Sequence, residues 1–212
     1  MIEGKQLTTR ISDQFLKSIS YIFHPLLMPL LGVVFYFSKT PRFVPEPRMK
    51  AKVFSITILT IVLPILLFYL LKTLRKVESF HLEHVSERRI PLIINSFIIA
   101  LVLIRVLPLD ELPELYFFFM GILISTITCL VLVLLKFKAS IHMIASAGFF
   151  MFAIAVAIHF KININGTIAL MCIILGAIAT SRLHLKAHTP SELIVGFFVG
   201  LLPQLLLLNY WI

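Results

Sequence analysis

Residues 115–135 read LYFFFMGILISTITCLVLVLL and contain no charged side chain. A hydrocarbon core about 30 Å thick is crossed by roughly 20 apolar residues of α-helix. The stretch therefore predicts a helix that spans a membrane. Its apolar residues are continuous, whereas the strands of a membrane barrel alternate between apolar and polar positions, so the pattern favours a helix over a strand.

Six more apolar runs flank this stretch, and the composition of the chain agrees with a membrane protein. They cover residues 19–37, 53–74, 91–107, 142–158, 166–180 and 193–211. The chain has 212 residues, of which 59% are hydrophobic and 14% charged, and its mean hydropathy is +1.02. A soluble domain is about half apolar and about a quarter charged. We therefore predict an all-α polytopic transmembrane helix bundle of about six to seven spans, folded as a single domain over residues 1–212.

Two of the runs differ from the others in length and in their small residues. Residues 142–158 and 166–180 are short for full spans and contain Gly148 and Gly176. Small residues let helix backbones approach closely inside a membrane. We therefore expect these two helices to pack tightly inside the bundle.

The charged residues lie mostly in the short connections between the runs, and the net charge is +9. Basic connections are typical of segments that set topology or contact lipid headgroups, although some of them can instead bind an anionic substrate. Because the chain belongs in a lipid bilayer, we expect no nucleic-acid partner and a multi-pass protein of a plasma or inner membrane. When the candidate site residues are set aside, five basic residues lie on each face, so the positive-inside rule does not predict which side the site faces. The sequence predicts no oligomeric state either.

Counting the crossings groups three basic connections on one membrane face. Two runs separate residues 75–89 from residues 136–140, and two more separate the latter from residues 182–189. An even number of crossings returns the chain to the same side. The acidic connection at residues 109–114 then lies on the opposite face. We therefore predict that the three basic connections build one site.

The last basic connection carries the clearest chemical pattern, SRLHLKAHTPSELIVGFFVG at residues 181–200. Arg182 offers a planar fork of donors for phosphate oxygens. His188 precedes a predicted helix N-terminus, which favours negative charge. Glu192, four residues later, can accept a hydrogen bond from Nδ1 of His188 and leave Nε2 nucleophilic. Thr189 and Glu192 also fit a capping box, which needs no catalysis, so both interpretations stay open.

This order of residues resembles the third signature of the type 2 phosphatidic acid phosphatase superfamily. The family pattern is Ser-Arg, five residues, His, three residues and Asp. Here Ser181, Arg182 and His188 match, and Glu192 replaces the aspartate. The resemblance implies that His188 attacks phosphorus and forms a phosphohistidine, that Glu192 orients it, and that Arg182 holds phosphoryl oxygens.

The second signature of the superfamily, Pro-Ser-Gly-His, is similar to residues 139–142. Ser140 and His142 match, whereas Ile141 replaces the glycine. The resemblance implies that Ser140 binds phosphate and that His142 protonates the leaving oxygen. The glycine of the family is expected to let the backbone approach the phosphate closely, and Ile141 departs from that.

The first signature, Lys, six residues and Arg-Pro, is matched least well. Arg88 and Arg89 precede Pro91, but one residue separates Arg89 from the proline, and no lysine stands at the expected distance before either arginine. By resemblance, Arg89 together with Arg88 holds the phosphate, and Lys138 is a candidate for the missing charge. The alternative is a basic cluster beside the membrane.

Taken together, the resemblance implies a metal-independent lipid phosphatase that needs no cofactor. Its phosphatase-like core covers residues 81–205 and follows N-terminal spans in residues 1–80. The substrate is then a phosphomonoester or diphosphate of a lipid, such as phosphatidic acid, phosphatidylglycerol phosphate or a polyprenyl diphosphate. Nothing in the sequence chooses among these three.

Two other functions and one other site stay open. The departures from the signatures suit a catalytically inactive relative that binds lipid phosphates. A transporter is expected to carry charged residues inside its spans. Arg105, near a helix end, is the one clear candidate for such a residue. A metal site is the alternative for His81, Glu83, His84 and Glu87, and we interpret His24 and His159 as structural.

Overall fold

The computed structural model describes residues 13–75 and 85–212, and every regular element within these ranges is helical. The α-helices are α1 (residues 13–22), α2 (Met28–Lys39), α3 (Glu46–Thr57), α4 (Leu63–Thr73), α5 (Arg89–Arg105), α6 (Pro113–Leu134), α7 (Ile141–Phe160), α8 (Asn165–His184) and α9 (Pro190–Leu207). Short 3-10 turns cover Pro25–Leu27, Val85–Arg88 and Leu208–Tyr210, and a π-helical turn, Ile58–Val62, joins α3 to α4. The all-α fold predicted from the sequence is confirmed.

Within residues 13–75 and 85–212, six helical segments are long and apolar enough to cross a bilayer. They are Asp13–Lys39, Glu46–Thr73, Pro113–Leu134, Ile141–Phe160, Asn165–His184 and Pro190–Tyr210. Helix α5 has 17 residues, which corresponds to about 25 Å and to the lower limit for a span. The chain is therefore a polytopic bundle, as the apolar runs predict.

Four helices end in the same way, at a basic residue whose backbone is left-handed. These residues are Arg75 after α4, Lys136 after α6, Lys161 after α7 and Lys186 after α8, with φ between 50° and 63°. A left-handed residue that carries a Cβ costs roughly 1–2 kcal/mol, but a cation at a helix C-terminus interacts favourably with the helix dipole. After α6, α7 and α8 the next helix begins within a few residues of this position.

Helix α7 lies at the centre of the bundle and packs most extensively against α9. A Cβ atom on Gly200 would overlap the carbonyl group of Ile144, and one on Gly196 would lie 2.8 Å from the carbonyl oxygen of Ser140. The two glycines of α9 therefore bring its backbone into contact with the first turn of α7. This contact sets the start of α7 beside the start of α9.

The prediction that α7 and α8 both pack tightly is confirmed for α7 and wrong for α8. A Cβ atom on Gly148 of α7 would lie 3.4 Å from the carbonyl oxygen of Gly200. No described atom lies within 4 Å of the corresponding position on Gly176 of α8, and Leu170 and Ile173 of that helix are exposed. Helix α8 therefore lies at the periphery of the bundle, and no described helix packs against Gly176.

A buried ionic cluster closes the opposite end of the bundle. Glu114 is 0% exposed and accepts a hydrogen bond from the hydroxyl of Tyr36 at 3.0 Å. Its other oxygen lies 3.1 Å from Nη2 of Arg42 and 3.6 Å from Nε2 of His159. These contacts join α2, α6 and α7 around the acidic connection at residues 109–114, at the end away from the basic connections.

Candidate functional site

The described parts of the three basic connections meet at one end of the bundle, and two hydrogen bonds to backbone carbonyl groups join them. Arg88, in the turn before α5, donates from Nη1 to the carbonyl oxygen of Ala139 at 2.9 Å. The N–H of Ser140, just before α7, donates to the carbonyl oxygen of Glu192 in α9 at 3.1 Å. The starts of α5, α7 and α9 therefore lie together, as the crossing count predicts. We call the side chains gathered here the histidine cluster; its members are Arg88, Ser140, His142, Arg182, His188 and Glu192.

His188 and Glu192 form a hydrogen-bonded pair at the start of α9. Nδ1 of His188 lies 2.8 Å from Oε2 of Glu192, and the same oxygen accepts the N–H of Thr189 at 3.1 Å. The hydroxyl of Thr189 in turn accepts the N–H of Glu192 at 3.4 Å. The motif is therefore a capping box and also orients the imidazole, because one carboxylate oxygen of Glu192 makes both contacts. Since the Glu192 carboxylate accepts, Nδ1 of His188 carries the proton and Nε2 keeps its lone pair.

The surroundings of His188 favour its neutral form. Its side chain is 2% exposed. Burial lowers the pKa of His188 from 6.5 to about 4; the charges of Arg88 and Arg182 act in the same direction, and Glu192 opposes them. Desolvation disfavours the charged imidazolium. A neutral imidazole with a free Nε2 is the form that can act as a nucleophile.

Two buried donors of the cluster are left without a partner. Arg182 is 8% exposed and Ser140 is 0% exposed. Among the described residues, neither Nε of Arg182 nor Oγ of Ser140 has a hydrogen-bond partner. A buried polar group without a partner costs about 1–3 kcal/mol, and most such groups in proteins are paired. The oxygen atoms of an anion bound in the cluster are acceptors of the kind that these donors lack.

His142, in the first turn of α7, is held by the first span. Its Nε2 lies 3.2 Å from the carbonyl oxygen of Ser20, and its ring meets that of His24 edge to face, with centroids 5.7 Å apart. The imidazole also lies within electrostatic range of Arg182 and His188. Because a carbonyl oxygen only accepts, Nε2 of His142 carries a proton, and Nδ1 is the nitrogen that can exchange one.

The two arginines predicted from the first signature separate in the structure. Arg88 is 3% exposed and lies in the cluster, where burial lowers the pKa of its guanidinium. Arg89, the first residue of α5, is exposed. Only Arg88 is brought to the other predicted residues, because the 3-10 turn before α5 directs one of the two side chains inwards.

Lys138 lines the entrance rather than the interior of the cluster. It is half-buried and borders an open pocket of about 500 Å³, together with Lys186, His188 and Glu192. The pocket joins the buried histidine to the surface of the protein. Its two lysines place additional positive charge where an anion would enter.

Two residues of the first span, Ser20 and His24, lie in the site although the motifs of the sequence do not predict them there. Ser20 is 7% exposed, and its hydroxyl lies 3.4 Å from Nη1 of Arg182. The ring of His24 contacts that of His142, so His24 has a place in the site beyond the structural role that the sequence predicts. One feature of the sequence does indicate a functional role: Ser20 and His24 are polar residues one helical turn apart inside an apolar run.

The residues of the metal alternative are only partly described. His81, Glu83 and His84 lie outside the described residues, and Glu87 lies in the 3-10 turn beside Arg88.

The histidine cluster itself offers two neutral or ionisable imidazoles, one carboxylate and two buried guanidinium groups. That set of groups suits the binding of a tetrahedral oxyanion and the transfer of its central atom to nitrogen.

Comparisons of the chain with protein-family models, with curated proteins and with solved structures find no significant match.

Proposed function

We propose that the protein is a metal-independent phosphatase that hydrolyses a phosphomonoester or diphosphate of a lipid. The observation that carries the proposal is the pair of unpartnered buried donors, Arg182 Nε and Ser140 Oγ, in one cluster with a neutral histidine. That histidine, His188, is hydrogen-bonded through Nδ1 to Glu192 at 2.8 Å. The similarity of the motifs to the type 2 phosphatidic acid phosphatase superfamily supports the same conclusion.

The reaction has two steps. In the first step, Nε2 of His188 attacks phosphorus, a P–N bond forms, and the P–O bond to the leaving group breaks; that group is the lipid alcohol for a monoester and the lipid monophosphate for a diphosphate. His142, doubly protonated while the anionic phosphate is bound, gives the proton on Nδ1 to the departing oxygen and keeps the one on Nε2. In the second step, water attacks the phosphohistidine, a P–O bond forms, and the P–N bond to His188 breaks. Inorganic phosphate leaves, and Nδ1 of His142 regains its proton from the attacking water.

The cationic groups supply most of the expected rate enhancement. Arg182, Arg88 and Ser140 hold the equatorial oxygens, whose charge changes in the transition state, in a site from which water is largely excluded. Glu192 stabilises the positive charge that develops on His188 as the P–N bond forms. Lys138 attracts the substrate at the entrance; Arg89, being exposed, is left out of the mechanism.

An apolar crevice supports a lipid as the substrate. Phe23, next to His24, and Ser146, one helical turn after His142, line a narrow crevice between the first span, α7 and α8. Its other lining residues are apolar, among them Leu31 and Phe150. A phosphate bound in the cluster would therefore lie within one helical turn of a surface that favours a hydrocarbon chain.

Phosphate release by the purified protein tests the proposal. The panel contains short-chain phosphatidic acid, phosphatidylglycerol phosphate and a prenyl diphosphate, and the inactive reference is His188→Ala. His184→Ala is the matched control, because His184 is exposed and pairs with Asp13. We expect release by the wild type and by His184→Ala, and at least about a 1,000-fold loss in His188→Ala. Equal release by the wild type and His188→Ala across the panel would contradict the proposal.

One observation favours a second candidate, a protein that binds lipid phosphates without hydrolysing them. The N–H of Ser140, beside the position where the family has a glycine, donates to the carbonyl oxygen of Glu192 at 3.1 Å and is therefore occupied within the protein. Binding of the same lipids without phosphate release, with binding weakened by Arg182→Ala, is the result that this candidate predicts.

A further inference from the structure

Ser20 in α1 contacts two members of the histidine cluster, one through its side chain and the other through its backbone. Its hydroxyl lies 3.4 Å from Nη1 of Arg182, and its carbonyl oxygen lies 3.2 Å from Nε2 of His142. The residue is 7% exposed. A single position in the first span is therefore linked to both the phosphate-binding arginine and the second histidine.

The direction of the side-chain hydrogen bonds follows from counting protons. The hydroxyl of Ser181 donates its one proton to the carbonyl oxygen of Leu16 at 2.6 Å. The hydroxyl of Ser20, which lies 2.7 Å from that of Ser181, must then be the donor between the two. Its lone pairs remain available to accept the N–H of Arg182. The chain thus runs from Arg182 through Ser20 and Ser181 to Leu16, and each bond polarises the next.

This chain determines which edge of the Arg182 guanidinium is available. Nη1 is directed at Ser20, whereas Nε has no hydrogen-bond partner among the described residues. The N–H groups of Nε and Nη2 are parallel and form the edge that binds two oxygens of one phosphate. Because the hydroxyl of Ser20 contacts Nη1, the edge formed by Nε and Nη2 stays available for the anion.

The backbone contact has a separate consequence for His142. Since the carbonyl oxygen of Ser20 only accepts, it keeps the proton on Nε2 of His142 and leaves Nδ1 as the exchanging nitrogen. His24 supports the same ring, with centroids 5.7 Å apart. The Nδ1 atom of His24 accepts the N–H of Leu26 at 3.3 Å, which fixes the orientation of its own ring.

We propose that Ser20 is a positioning residue of the site, so that the first span is part of the phosphate-binding machinery. Its hydroxyl orients Arg182 for two-oxygen contact with phosphate, and its carbonyl group selects the tautomer of His142. The assignment to a hydrolytic site rests on the proposed function. The orientation of Arg182 toward an anion can be tested without it.

The test replaces Ser20 with alanine and measures two quantities. One is the dissociation constant for inorganic phosphate, and the other is KM for short-chain phosphatidic acid. We expect both to rise by about tenfold, the change for one lost hydrogen bond to a charged group. The pH profile of kcat stays unchanged, because alanine keeps the carbonyl group that contacts His142. A general loss of packing would instead lower kcat and thermal stability together.

The matched control is Ser18→Ala in the same helix. The hydroxyl of Ser18 is exposed and donates to the carbonyl oxygen of Gln14 at 2.9 Å, so its loss leaves both quantities unchanged. Ser20→Thr, which keeps a hydroxyl, restores phosphate binding at least in part. In an Arg182→Ala background, Ser20→Ala has no further effect on phosphate binding, because the two changes remove one interaction.

The outcomes separate the two proposals. If the wild type releases phosphate and Ser20→Ala equals Ser18→Ala in both quantities, the role of Ser20 is overturned and the hydrolytic function stands. If the wild type releases none but Ser20→Ala weakens phosphate binding, the role of Ser20 stands and hydrolysis fails. Should Ser20→Ala not fold, Ser181→Ala removes the next hydroxyl of the chain, and unchanged phosphate binding in that variant overturns the proposal.

Discussion

At the scale of single residues, Glu192 combines two hydrogen bonds that a shorter carboxylate would have difficulty making from the same position. Oε2 accepts from Nδ1 of His188 at 2.8 Å and from the N–H of Thr189 at 3.1 Å. The extra methylene group of glutamate, relative to aspartate, lets the side chain fold back to the residue that begins the helix. One carboxylate oxygen therefore contacts both the histidine and the start of the helix.

The role of this carboxylate is testable with Glu192→Gln. The amide oxygen still accepts a hydrogen bond, so the helix cap and the melting temperature change little. The negative charge that stabilises the developing imidazolium is lost, and we expect kcat to fall by about 100-fold. Ser191→Ala, at the exposed neighbour, is the control. A variant with unchanged kcat would exclude Glu192 from the reaction.

The lowered pKa of His188 predicts an acid-dependent loss of stability. Burial lowers the pKa of His188 to about 4 from an ordinary value of 6.5, so between these values the unfolded chain binds more protons than the folded one. Stability is therefore fully present above pH 6.5 and declines as the pH falls towards 4, by up to about 1.4 kcal/mol for each pH unit. Melting temperatures of the wild type and His188→Asn across this window measure the effect. Equal slopes for the two proteins would show that His188 does not cause it.

At the scale of helices, the contact between α7 and α9 sets the geometry of the site. Gly196 and Gly200 place the backbone of α9 against Ser140 and Ile144, which brings His188 to the start of α7. The four-residue spacing of the two glycines predicts a packing face. Gly176 of α8 has no such neighbour, because a small residue in a sequence does not specify whether another helix lies opposite it.

Gly200→Ala tests this contact. The added methyl group would overlap the carbonyl group of Ile144, and both backbones must move apart. We expect a loss of about 1–3 kcal/mol in stability and a lower kcat/KM, since the start of α7 shifts relative to His188. The control is Gly176→Ala, which meets open space and changes stability by no more than about 1 kcal/mol, in the stabilising direction. Similar melting temperatures for the two variants would contradict the proposed packing.

At the scale of the whole molecule, the local pattern of the sequence predicts the helices and the convergence of three connections. Apolar runs long enough to span a bilayer predict the helices, and an even count of crossings predicts that the three connections converge. The contribution of the first span could not be predicted in this way. Ser20 and Ser181 are 161 positions apart, and no period or motif relates them. The choice of Arg88 over Arg89 was also open, because it depends on the 3-10 turn that precedes α5.

The same count of crossings predicts that the histidine cluster and the acidic connection lie on opposite sides of the membrane. Lys136 and Asp110 are exposed residues of the two sides, so cysteine at either position is accessible to a maleimide that does not cross the bilayer. Applied to intact cells, the reagent labels one of Lys136→Cys and Asp110→Cys, and permeabilisation allows labelling of both. The unsubstituted chain is the control: Cys129 is buried and Cys172 lies on the lipid-facing helix α8, where the thiolate that reacts is disfavoured. Labelling of both variants in intact cells would place the two connections on one side and would be incompatible with a single shared face for α5, α7 and α9.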